Sequence, residues 1–208
     1  MPALTLQTLM SEATAAVGQR LDLTVSQVSL QANLAQLEVA SILPHTELMA
    51  STNVILAAGS GGTTLPADFG EAVDLFRQNS FDAFGYRLLT QVPLQEIDNA
   101  GDSTGTATGV ANRYAISANS LLVYPASTSA DTLTLRYVKV PSDMTALTAL
   151  SSLHTRYHPA VLYKLSENLC DRILDNQRAA YFRNKFISVM GTVPSASDVR
   201  MRSERTFP

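Results

Sequence analysis

The stretch that most constrains this chain covers residues 157–190, which reads as one long helix with both ends marked. Pro159 stands where a first helical residue would, and Gly191 with Pro194 supplies the stop. At 1.5 Å per residue such a helix is about 45–50 Å long, more than the width of many small domains. The rest of the chain has to be arranged along it.

The apolar stripe of this stretch is not the same at its two ends. Leu162, Leu165, Leu169 and Ile173 share one face, continued by Ala180 and Ile187, while Lys164, Glu167, Asp171 and Asp175 lie opposite. The same outer side carries Phe182, Phe186, Val189 and Met190 in the last turns. The helix therefore needs one partner early and two partners late. Two arrangements meet that need: a neighbouring subunit covers the late face, or a kink near Asn176-Gln177 turns it back into the same core.

The chain has 208 residues and is 46% hydrophobic, which fits one ordered domain or two small ones. A net charge of -3 gives no electrostatic footprint for nucleic-acid binding. Cys170 is the only cysteine, so no internal disulfide forms and assembly in a reducing cytosol is expected. The N-terminal residues lack the basic start and continuous apolar run of a signal peptide, and no apolar run is long enough to predict a membrane span.

Two helices are expected before any strand. The first joins Leu6, Leu9, Met10, Ala13 and Val17, with Thr5 as cap and Gly18 as stop. The second opens on Thr24 and Gln27 as a capping box, with Leu30, Leu34, Leu37 and Ser41 as its apolar stripe, and runs to Leu43 before Pro44. Strand signals then take over: Val54 to Leu56, Ala72 to Arg77 with Val73 and Leu75 on one side, and a short run after Gly85. One or two helical turns are expected from Pro93, followed by a glycine-containing surface loop over residues 99–112. A hairpin turning at Ala118-Asn119 and an alternating strand with Leu133, Leu135 and Tyr137 give the clearest β signal. The chain is thus expected to be α+β: a bundle of two N-terminal helices (1–45) and one long C-terminal helix (142–191), an inserted, mostly antiparallel β lobe (46–141), and an extended tail (192–208).

Few residues of the sequence form a pattern that carries chemistry. His154 and His158 have the spacing of two ligands on a helix, but no third ligand is near, and Pro159 starts the helix only after both, so a structural role is favoured. Glu167, Asp171 and Asp175 form a ladder of mutually repelling carboxylates, expected on a solvated face with Lys164 and Arg178 as compensation, or else against a basic strip on a neighbour. Cys170, in mid-helix, reads as an inert packed thiol. No GxSxG motif or phosphate-binding loop is present, so no catalytic, cofactor-binding or metal-binding residue is assigned.

Several stretches taken together nevertheless resemble the head-to-tail adaptor proteins of tailed bacteriophages. They are Leu65-Pro66-Ala67-Asp68-Phe69 before a strand, Tyr114-Ala115-Ile116 leading to Leu122-Val123-Tyr124-Pro125, and Leu133-Thr134-Leu135-Arg136-Tyr137 followed by Pro141. A Tyr157-His158-Pro159-Ala160 helix start, Asp171 within the helix, and Tyr181 and Phe182 near its end complete the set. The resemblance implies a non-enzymatic virion protein of the neck, assembled in the host cytoplasm. It implies a ring, usually of twelve copies, between the portal protein and a downstream tail or nozzle protein, with DNA only as cargo in its channel. Stopper and tail-terminator rings are the nearest alternatives, and a small hydrolase with its site in the β lobe is the alternative of another class. On this reading Phe182, Phe186, Val189 and Met190 are expected at a subunit interface. The polar tail reads either as an exposed, frayed end or as a docking arm, in which Arg200, Arg202, Arg205 and Phe207 meet the portal or an adjacent subunit.

Overall fold

The computed structural model describes residues 3–18, 23–78, 86–100 and 108–191. Its contacts divide the chain into two compact units, Met1–Leu48 with Val140–Pro208, and Met49–Lys139. In chain order the helices α1 (Leu6–Ala16), α2 (Val25–Ile42) and the single turn α3 (His45–Leu48) come first. The strands β1 (Met49–Leu56), β2 (Gly62–Thr64), β3 (Phe69–Gln78), β4 (Tyr86–Leu88) and β5 (Thr90–Gln91) follow, then the helix α4 (Leu94–Ala100). After β6 (Thr108–Gly109), β7 (Arg113–Ser117), β8 (Ser120–Tyr124), β9 (Ala126–Ser127) and β10 (Asp131–Lys139) come the helices α5 (His158–Arg172) and α6 (Asn176–Met190). The protein is α+β, as its sequence leads one to expect.

In the first unit the helices begin where oxygen caps stand. The Thr8 N–H donates to Thr5 Oγ1 at 3.2 Å to start α1, and Gly18, at φ +90°, follows its end. Thr24 and Gln27 form the reciprocal capping box of α2, with bonds of 3.3 and 3.1 Å. The N-terminal segment is tied down by the buried His158, whose Nδ1 accepts from Leu4 N–H at 2.8 Å while Nε2 donates to the Leu153 carbonyl at 3.2 Å. Both ring nitrogens are thereby used in holding two chain segments together.

The expected single helix over residues 157–190 is two helices. At Leu174 the backbone turns left-handed, φ +61°, and the Leu174 and Asp175 N–H groups bond the Asp171 and Cys170 carbonyls at 3.2 and 3.0 Å. This is the hydrogen-bond pattern of a Schellman helix stop, with leucine where glycine is usual. Asp175 at once restarts the chain as a helix, its Oδ1 accepting from Arg178 N–H at 3.1 Å. The break lies two residues before the expected kink and folds α6 antiparallel onto α5. Arg183 Nε reaches Glu167 Oε1 at 2.7 Å, and Lys164 Nζ lies 5.7 Å from the centre of the Phe186 ring.

The reset in helical phase changes which residues face inward. Ala179 and Phe186 are buried, with Phe182, Val189 and Met190 half-buried beside them. Ala180 and Ile187, expected to continue the core stripe, are exposed. Glu167, expected on a solvated face, is buried, and it is neutralised from both helices by Arg183 and by Lys164 at 3.2 Å.

In the second unit β10 is the centre of an antiparallel sheet ordered β1-β10-β3-β4, and a second sheet is ordered β2-β8-β7-β5. The alternation of β10 buries Leu133, Leu135 and Tyr137 against Val54, Leu56, Leu75 and Leu121. The β7–β8 hairpin turns at Ala118-Asn119, Ser117 pairing with Ser120. Val73 departs from the expected face. Arg136 pairs with Asp74 and Tyr137 with Ala72, so Val73 is the extra residue of a bulge and is exposed while Leu75 is buried.

Three outcomes follow from these local arrangements. Leu174 is 83% exposed, so Leu174→Gly relieves the left-handed conformation with little loss of packing. It should stabilise the protein by about 0.5–1 kcal/mol in chemical denaturation. Phe186→Ser should destabilise it by about 3 kcal/mol in the same measurement. Burial, with the 2.8 Å hydrogen bond its hydroxyl donates to Asp68, pushes the Tyr137 phenol from 10.0 up to about 12. The stability this lends is complete below pH 10 and is lost as pH rises towards about 12. Alkaline unfolding curves of wild type and Tyr137→Phe should therefore converge across that window.

Candidate partner-binding surfaces

Helix α2 is built inside out. Across its 18 residues Glu38 is the single charged side chain. It buries Val28, Ala32, Ala35, Gln36, Val39 and Ala40, whereas Leu30, Leu34 and Leu37 are 57%, 40% and 37% exposed. The periodicity of the sequence alone points the leucines into the core. Two polar contacts fix the opposite rotation: Gln36 Nε2 donates to the Ser142 carbonyl at 2.9 Å, and Asn33 Oδ1 accepts from Met144 N–H at 2.9 Å. Turning the leucines inward would break both bonds, and the small face lets α2 approach α5 closely. An outward row of leucines at spacings of four and three residues is the seam one helix offers another.

Helix α6 also has an outward row, at the same spacing: Gln177, Tyr181, Asn184 and Ser188 are all exposed. Tyr181 packs edge-on against Phe182, ring centres 5.2 Å apart, and lies under the Lys185 ammonium at 5.6 Å. Arg178, Arg183 and Lys185 give α6 three cations, and no carboxylate lies within it. Neither row stands out in the sequence as a contact surface.

Of the residues expected at an interface, Phe186 is packed inside the first unit, and Phe182, Val189 and Met190 form the half-buried border of the same hairpin. Arg200, Arg202, Arg205 and Phe207 lie outside the described residues, as do residues 101–107, half of the glycine-containing loop. In the second unit Ile55 and Leu88 are exposed, 69% and 64%, but they stand on the strands at opposite edges of the sheet.

The chemical candidates resolve into structural roles. His158 is held as described, and His154 Nδ1 accepts from Arg156 N–H at 3.3 Å. Among the described residues no group of His, Cys, Asp and Glu is arranged to hold a metal ion. Of the carboxylate ladder, Glu167 is buried between cations, Asp171 lies 3.8 Å from Arg183, and Asp175 caps α6 while pairing with Arg178 at 3.4 Å. The ladder's compensation therefore lies within one chain. Burial, reinforced by Asp175, pushes the Cys170 thiol upward, away from the thiolate that a nucleophile needs. No helix among the described residues is long and apolar enough to cross a membrane.

No curated protein matches the chain. A family model described as SU10 adaptor protein matches residues 4–206, from the segment before α1 through both compact units and into the tail. With nearly its whole length matched, the chain belongs to the SU10 adaptor protein family, a family of the phage head-to-tail adaptor type, and is a structural component of the virion that works by contact with other virion proteins.

Proposed function

We propose that this chain is one subunit of an oligomeric ring in the virion neck, standing between the capsid portal and the tail and leaving a channel for DNA. The observation that carries the reading is the family match across residues 4–206. The surfaces support it. Leu30, Leu34 and Leu37 form an uncharged outward row on a helix whose opposite face is already sealed, the pattern of a side that meets protein in the assembled state. The mechanism is geometric: each subunit presents different surfaces to its two neighbours, and the closed ring adds a layer between portal and tail.

In this reading Phe186 belongs to the subunit's own core, and Phe182, Val189 and Met190 border the contact with a neighbour. Residues 192–208 contain Arg200, Arg202, Arg205 and Phe207. They are the arm that docks on the portal, arginines to carboxylates and the phenylalanine to a pocket. Electron microscopy of the chain mixed with the portal of its own phage should show rings seated on the portal. Rings placed elsewhere in the neck would assign the chain to a stopper or terminator position instead. Deleting residues 195–208 should weaken portal binding about tenfold or more, the scale of losing one interface hot spot. Unchanged binding would refute the docking arm.

A further inference from the structure

Among the described residues of the first unit, two exposed helix faces have no partner and match each other. On α2 the row is Leu30, Leu34, Leu37 and Ser41; on α6 it is Gln177, Tyr181, Asn184 and Ser188. Both follow the four, three, four spacing that keeps side chains on one side of a helix, and each row extends over about 16 Å. Both helices pack on α5 and make no extensive contact with each other. Neither row is therefore able to cover the other within one subunit.

Their chemistry is complementary as well. The α2 row is aliphatic, borders the half-exposed Glu38 and has no cation on its helix. The α6 row places one tyrosine among small and amide side chains beside Arg178 and Lys185. A tyrosine lying among leucines with its hydroxyl reaching the rim is a favoured interface anchor. Glu38 and Arg178 already hold partners in the subunit, Lys164 and Asp175, so the opposite sign of the two borders is carried by the exposed part of Glu38 and by Lys185.

We propose that the leucine row of α2 in one copy docks on the Gln177, Tyr181, Asn184 and Ser188 row of α6 in the next copy, with Glu38 beside the α6 cations. The occupant of each row is a second copy of this chain. The contact is heterologous, since the two faces differ, so repetition leads to a ring or an open array and does not stop at a dimer. This deepens the ring reading and rests on it.

The test uses the full chain mixed with the portal of its own phage, followed by electron microscopy and by oxidation of a variant carrying both Leu34→Cys and Tyr181→Cys. Both positions are exposed, and circular dichroism checks that the helices are kept. A disulfide-linked ladder extending beyond dimers, absent from either single variant, is the expected result. The triple variant Leu30→Gln, Leu34→Gln, Leu37→Gln should lose rings while keeping the wild-type helix signal. Rings of the double variant without a ladder would overturn the pairing and leave the ring reading intact. Dimers from Leu34→Cys alone would overturn it in favour of α2 against α2, and a disulfide joining the Leu34→Cys variant to the portal would do so in favour of the portal as occupant. Absence of rings from the wild-type chain would overturn the ring reading and this pairing together.

Discussion

The buried carboxylate of Glu167 sets the terms for the helical unit. A carboxylate removed from water costs several kcal/mol unless cations meet it, and here they come from both sides of a turn: Lys164 from α5 at 3.2 Å and Arg183 from α6 at 2.7 Å. Arg183 reaches it only because the chain reverses at Leu174 and Asp175. Lys164 is shared with Glu38 of α2 at 3.0 Å. Burial acts to lower its ammonium's affinity for the proton, but the hydrogen bonds it donates to Glu38 and Glu167, with their charges, outweigh that and raise it. One lysine thus connects α2, α5 and, through the Phe186 ring above it, α6.

That arrangement decides what is left for the surface. Once α6 is folded back, Phe186 is buried in the first unit with Phe182, Val189 and Met190 half-buried at its border, and the row through Tyr181 takes the outside. On α2 the buried bonds of Gln36 and Asn33 hold the alanine face against the bundle. The leucines, with the larger apolar area, stay in water. Leaving such groups exposed forgoes a hydrophobic contribution of about 1.5–3 kcal/mol for each fully buried side chain. The isolated subunit does not collect that contribution; the proposed contact with the next copy would.

The parts of this fold legible in the sequence are those governed by neighbours in the chain. Thr5 and Thr24 cap helices through bonds three residues away, the two-residue turn at Ala118-Asn119 fixes a hairpin, and the alternation of Leu133, Leu135 and Tyr137 names a buried face. What is not legible depends on contacts distant in sequence or on an unusual residue. Leu174 occupies a left-handed stop that would be obvious with glycine there. Val73 looks like an ordinary strand residue until the pairing with β10 skips it. Helix α2 has two credible stripes, leucine and alanine, and bonds to Ser142 and Met144 choose between them. The same reason hides the packing of Phe186: the late phenylalanines are visible in the sequence, but the turn at Leu174 that buries Phe186 in the first unit is not. The family resemblance, carried by short stretches in order, survives these local errors because it depends on none of them.

The size of the exposed rows bears on how a ring of such subunits assembles. A stable protein interface buries about 800 Å² on each partner. A row of about 16 Å with three partly exposed leucines supplies only a fraction of that, and association also costs translational and rotational freedom. A pair of subunits joined by this contact alone would therefore be weak, which keeps the free protein from aggregating through its leucines. Seating subunits side by side on a portal changes the balance, because each then meets its neighbour at high effective concentration and with its orientation already set. In the proposed assembly, weak lateral contacts and a docking arm form one design: the arm would place the subunits, and the α2 and α6 rows would close the ring only there.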